Sequence, residues 1–178
     1  MSRNMWHDIE PGTDIPEIIN VIVEIPKGSM NKYEFDKKHN VMRLDRVLFS
    51  PFHYPGDYGL IPQTLSDDED PLDALVLVTN QTYPGILIEA RPIGLLQMKD
   101  DGKLDDKIIC VATNDPRYLH TTDIMNIEDH YRSEIAHFFQ VYKDLEGKKV
   151  EIIGWKSAKE AKAVIIESIK KYKEILKK

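Results

Sequence analysis

Short apolar or β-branched runs and, at 32–36 and 41–48, alternating apolar positions recur along most of the chain, and helical spacing appears only near its end, so strands come first and helices last. Residues 18–25 are β-branched and strand-like, and Pro26 stops them. After a turn at Lys27, Gly28 and Ser29, residues 32–36 alternate, with Lys32 and Glu34 on one face and Tyr33 and Phe35 on the other. Residues 41–48 form a third strand on which Met42, Leu44, Arg46 and Leu48 share a face. Residues 50–59, with Pro51, Pro55, Gly56 and Gly59 among Phe52, His53, Tyr54 and Tyr58, read as a rigid aromatic loop. Further strands are predicted at 74–78, at 86–93 after the Pro84-Gly85 turn, at 95–98 and at 107–112.

The pattern changes to helix near Ile127. Ile135, Phe138, Phe139 and Tyr142 form a core stripe, and the helix ends at Tyr142 and Lys143 with their polar tips emerging. A short strand at 150–153 precedes a last helix that opens on a Ser157–Glu160 capping box and carries Ala161, Val164, Ile165, Ile169 and Tyr172. Its basic end, Lys170, Lys171, Lys173, Lys177 and Lys178, suits a helix C-terminus. Residues 1–16, rich in Pro, Gly and Asp, are an irregular lead-in that packs at Trp6. Several short strands followed by two helices predict a mainly β chain with some α, a closed or nearly closed antiparallel barrel with helices against it, in one domain over 1–178.

Charge adds chemistry to this outline. Asp67, Asp68, Glu69, Asp70 and Asp73 crowd one turn immediately before the buried strand at 74–78, with Pro71 giving the cluster a shape. In an extended segment Asp68 and Asp70 point to the same side, and a turn at Pro71 brings Asp73 round to them. A second acidic loop carries Asp100, Asp101, Asp105 and Asp106. Neither loop holds histidine or cysteine, which disfavours zinc and copper and leaves Mg²⁺, with Mn²⁺ as a substitute. Cations (Lys32, Arg46, Lys107, Lys143) and phenols (Tyr54, Tyr58, Tyr142) complete a site suited to a small phosphate polyanion. Arg46 among apolar neighbours needs an anionic partner, either a structural salt bridge or a ligand.

The net charge of −6 opposes a nucleic-acid or anionic-membrane partner, and no apolar run reaches membrane-spanning length. The first residues, Arg3, Asn4, His7 and Asp8 around Trp6, lack the layout of a secretory signal. The single cysteine, Cys110, lies in an apolar run, reads as a buried inert thiol and fits a reducing cytoplasm.

Taken in order, Glu24-Ile25-Pro26, Lys32-Tyr33-Glu34, Asp45-Arg46, Tyr54-Pro55-x-x-Tyr58-Gly59, Asp68-x-Asp70-Pro71-x-Asp73, Arg91-Pro92-x-Gly94 and His137-Phe138-Phe139 with Tyr142-Lys143 span nearly the whole chain. In this the sequence resembles the soluble family I inorganic pyrophosphatases of bacterial type. The resemblance implies a five-stranded β-barrel of the oligonucleotide-binding type with helices outside, a cytoplasmic homohexamer, and Mg²⁺-dependent hydrolysis of inorganic diphosphate. By the same resemblance Asp68, Asp73, Asp100 and Asp105 are metal ligands and Asp70 is the general base. Lys32, Arg46, Tyr58, Lys107, Tyr142 and Lys143 hold diphosphate and the leaving phosphate, with Glu34, Glu24 and Tyr54 in support. Alignment of the second loop without a gap gives these roles to Asp105 and Lys107; a slip of one residue gives Asp106 instead.

Two rivals are weaker. An EF-hand fails because Leu72 stands at the third ligand position and Asp73 replaces the turn glycine. A nucleic-acid-binding barrel without enzymatic activity is opposed by the acidic loops and the net negative charge.

Overall fold

The computed structural model describes residues 4–176; Arg3 and the terminal Lys177 and Lys178 of the basic run lie outside the described residues. Five strands close a ring: β1 (Ile19–Ile25), β4 (Asp57–Leu60), β5 (Asp73–Leu77), β8 (Lys107–Ala112) and β6 (Leu87–Asp100), with β6 pairing back to β1. β2 (Asn31–Asp36) and β3 (Val41–Val47) form a separate hairpin. β7 (Lys103–Leu104) and β9 (Val150–Ser157) add to β6. The helices are α1 (Asp129–Val141) and α2 (Ala158–Ile175).

Alternation along the ring strands explains the layers. Leu75, Leu77, Ile109 and Val111 pack with Ile135, Phe138 and Phe139 of α1. Their neighbours Ala74, Val76, Ile108 and Cys110 pack with Ala161, Ile165 and Ile169 of α2. Strands buried on both faces must be apolar throughout, as β5 and β8 are after their first residues. Cys110 is fully buried and its thiol is pushed well above the usual range by burial. The Ser157–Glu160 capping box forms, with Ser157 N–H donating to Glu160 Oε2 at 2.9 Å.

Four expectations need correction. The aromatic loop at 50–59 ends in a ladder strand, β4, whose four buried residues Asp57, Tyr58, Gly59 and Leu60 lack the β-branched signature. The strands expected at 86–93 and 95–98 are one, β6, which absorbs Pro92 by a bulge between Pro92 and Gly94. The barrel is not wholly antiparallel, because β5 and β8 run parallel, with Asp73 opposite Lys107. On β3, Leu44 is about half exposed, since the hairpin stands off the barrel, and Leu48, just past the end of the strand, is buried.

Gly59 fixes the closest approach in the ring. A Cβ there would stand 1.9 Å from the carbonyl oxygen of Ile22 on β1, so only glycine permits this β1–β4 distance. Gly59→Ala is expected to cost at least roughly 2 kcal/mol, read as a lower urea midpoint at unchanged slope; a wild-type midpoint would contradict the packing of β4 on β1.

Candidate active site

Two turns bring the acids together. The first is closed by Ser66 N–H donating to the Asp70 carbonyl at 2.8 Å, with Glu69 in the left-handed region at φ 69°. Asp70 N–H donates to Asp68 Oδ1 at 3.1 Å. The extended geometry expected for 68–70 therefore gives way to a tight turn, held from below by buried Thr64, whose Oγ1 accepts from Leu72 N–H at 2.9 Å. Buried Leu72 and the flanking strands leave no calcium-loop helix pair. The second turn reverses at Asp101 and Gly102, both at positive φ, and returns through β7 to Asp105. The parallel β5–β8 register then sets Asp73 beside Lys107.

A cavity of about 270 Å³ opens where these turns meet. Its walls carry the carboxylates Asp68, Asp70, Asp73, Asp100 and Asp105, the cations Lys32, Lys103, Lys107 and Lys143, and the phenols Tyr58 and Tyr142. An adjoining cavity of about 240 Å³ shares Lys32, Tyr58, Asp68, Asp70 and Asp73 and adds Glu24, Glu34 and Lys37. Under α2, a smaller cavity of about 80 Å³ is lined by Asp68, Asp73 and Asp105 together with Asp106, which does not reach the other two.

Lys107 organises the charges. Its side chain is almost fully buried, and Nζ lies 2.5 Å from both Asp73 Oδ2 and Asp105 Oδ1. Burial works against its charge, yet Asp73 and Asp105 hold its pKa above the ordinary lysine value. Breaking such a buried pair costs roughly 3–5 kcal/mol, because a charge is left uncompensated. Burial raises the Asp105 carboxyl, against the pull of Lys107. Lys143 pairs with Asp100 and Lys37 with Asp70. Tyr142 and Lys143 are buried rather than emergent; the Tyr142 ring stacks 5.1 Å from Phe138, and Lys143 is drawn in by Asp100. Burial lifts the Tyr58 and Tyr142 phenols well above their usual range, so both remain hydrogen-bond donors. Tyr54 is buried behind them, its ring 5.4 Å from that of Tyr58.

Arg46 does not line either main cavity. Its Nε and Nη2 are taken by Glu146 at 3.0 and 2.9 Å, and its Nη1 by Asp45. Glu146 was not legible in the sequence: it lies in a short turn a hundred residues from its partner, with no local pattern to mark it. Lys103 and Lys37 were missed for the same reason, being ordinary turn and edge lysines until the fold brings them to the cavity.

The donor set is all oxygen, and Asp100 Oδ1 is buried with no hydrogen-bond partner. That chemistry suits a hard divalent cation. Among the described residues no three such side chains close on one point, and lysines lie against the carboxylates instead. The acidic, lysine-braced pocket at the rim of this oligonucleotide-binding-type barrel has a size and charge that suit a small charged ligand.

The family model for inorganic pyrophosphatase matches residues 21–173. The inorganic pyrophosphatase of Haloferax volcanii is 51% identical over 172 residues, covering 96% of this chain and 97% of its own. That of Synechocystis is 52% identical over 88% of this chain and 92% of its own. The crystal structure of the Thermus thermophilus inorganic pyrophosphatase superposes with a TM-score of 0.93 at 42% identity, covering 96% of this chain and 99% of that one. The chain belongs to the inorganic pyrophosphatase family.

Glu24 gives the site a pH signature. Burial pushes its carboxyl up to about 8; the Phe35 N–H that it accepts at 2.7 Å opposes the shift and Asp73 adds to it. The unfolded carboxyl ionises near 4.5, so between these values unfolding releases a proton and stability falls as pH rises, levelling off above the upper one. In chelator-treated protein, urea unfolding between about pH 5 and pH 8 should show this decline, and Glu24→Gln should flatten it. Equal slopes in the two proteins would contradict a protonated Glu24.

Proposed function

We propose that this chain hydrolyses inorganic diphosphate to two orthophosphates, with divalent metal, Mg²⁺ or in its place Mn²⁺, held by Asp68, Asp73, Asp100 and Asp105. The observation that carries this reading is the meeting of two acidic turns and four lysines around one cavity. Bound metal would supply Lewis acidity toward phosphate oxygens and acidify a water at neutral pH.

The chain's own groups do the rest. Asp70, the most exposed of the cavity acids in an ion pair, accepts a proton from the attacking water. As the water oxygen bonds to one phosphorus, the bond from that phosphorus to the bridging oxygen breaks, and its electron pair leaves with the second phosphate. Lys32, Lys107 and Lys143 balance the charge gathering on that phosphate, and the protonated Tyr58 and Tyr142 donate to its oxygens. Arg46 joins them by turning a guanidinium edge from Glu146 and Asp45 toward the substrate, with Glu34 steering Lys32 through their ion pair.

A homohexamer is the assembly we propose; exposed Leu44, Val47 and Phe49 offer apolar surface for contacts between copies. The cytoplasm is the proposed location, in keeping with the buried free thiol of Cys110. No helix among the described residues is long and apolar enough to cross a membrane.

Purified protein is expected to release phosphate from diphosphate in Mg²⁺, to stop on chelation, and to act far more slowly on ATP. Absence of Mg²⁺-dependent release would overturn the function. Asp70→Asn should lower kcat by ~10²–10⁴-fold while still binding metal in a calorimetric titration; wild-type turnover would remove Asp70 from the base role.

A further inference from the structure

Lys37 stands outside the residues that motif or resemblance singled out, yet its ammonium meets the carboxylate assigned to proton transfer. It sits in the turn between β2 and β3, and its Nζ pairs with Asp70 Oδ1. The same Nζ lies 4.6 Å from the centroid of the Trp6 ring, a cation–π geometry that fixes the lysine from its other side. Trp6 is itself immobilised. It is buried among Ile22, Phe35, Leu60 and Leu65, and its indole N–H donates to the Thr64 carbonyl at 3.0 Å. His7 stacks on it at 4.5 Å and meets the Tyr172 hydroxyl at 2.6 Å, tying the lead-in segment to α2.

An exposed aspartate on a turn samples several rotamers, and a base that must lie within hydrogen-bond reach of one water loses rate when it does so. Asp70 is the cavity acid most open to solvent among those in ion pairs, with 59% of its side chain accessible. Its neighbours there are the Asp68 carboxylate, which accepts its backbone N–H, and the Lys37 ammonium.

We propose that Lys37, braced on Trp6, is a positioning residue that holds the Asp70 carboxylate in one orientation for proton transfer. The inference rests on Asp70 being the base. Lys37 acts through Asp70 and does not hold diphosphate, so its loss acts on turnover and leaves substrate binding alone.

Kinetics in saturating Mg²⁺ test this with Lys37→Met, which keeps the aliphatic stem over Trp6, and Lys37→Arg, which keeps the charge. Lys37→Met is expected to lower kcat about tenfold with KM within about twofold, and Lys37→Arg to restore most of the rate. Placed in the Asp70→Asn background, Lys37→Met should cause no further loss, because the group that it positions is gone. Wild-type kcat in Lys37→Met, a rise in KM alone, or a full additional loss in the double variant would overturn the proposal. Failure of Asp70→Asn to slow the enzyme would instead overturn the assignment of the base, so the two failures are told apart.

Discussion

One buried ammonium makes the acidic rim of this barrel compatible with a folded protein. Lys107 lies between Asp73, at the start of β5, and Asp105, in the link from β7 to β8, and sets one buried positive charge against both. Without it the two carboxylates would lose the opposite charge that offsets their repulsion. Lys143 on Asp100 and Lys37 on Asp70 repeat the arrangement at the cavity's edge. The acids are thus held close together, as a divalent cation requires of oxygen donors, while their repulsion is offset by cationic groups. In the proposed function Lys107 and Lys143 would serve two states, bracing the acids in the metal-free protein and facing the anion once metal takes the acids, whereas Lys37 stays with Asp70.

The barrel earns its place by setting distances. Parallel pairing of β5 with β8 fixes Asp73 opposite Lys107, and the return of β7 along β6 brings Asp105 down to the same level. Gly59 lets β4 approach β1 closely, which seats Tyr58 at the cavity wall. Packing of α1 behind it, through Phe138 and Phe139, surrounds the Tyr58 and Tyr54 rings and keeps the phenols dry and protonated. The standing hairpin β2–β3 adds Lys32 from its strand and Lys37 from its turn.

Much of this was legible in the residues. Apolar, β-branched runs located most of the ring strands, alternation located the β2–β3 hairpin, the stripe from Ile135 to Phe139 located the core face of α1, and the capping box marked the start of α2. The acidic turns announced a charged site because so many carboxylates border apolar strands. Local pattern could not supply β4, whose Asp57, Tyr58 and Gly59 resemble a turn and become a strand only by pairing on both sides. Nor could it reveal the parallel β5–β8 pair, since direction is set by connections and not by side-chain alternation. Glu146 against Arg46 and Lys37 against Asp70 were hidden for the same reason: each pair joins segments far apart in sequence, and only the closed barrel makes them neighbours.

The central claim is that the carboxylates gathered around Lys107 are the seat of the metals. Anomalous diffraction from crystals grown with Mn²⁺ tests it most directly. The account predicts manganese peaks within bonding distance of Asp68, Asp73 and Asp105, with the Lys107 ammonium displaced from at least one of its two acids. Manganese bound elsewhere, with Lys107 still bridging Asp73 and Asp105, would contradict it.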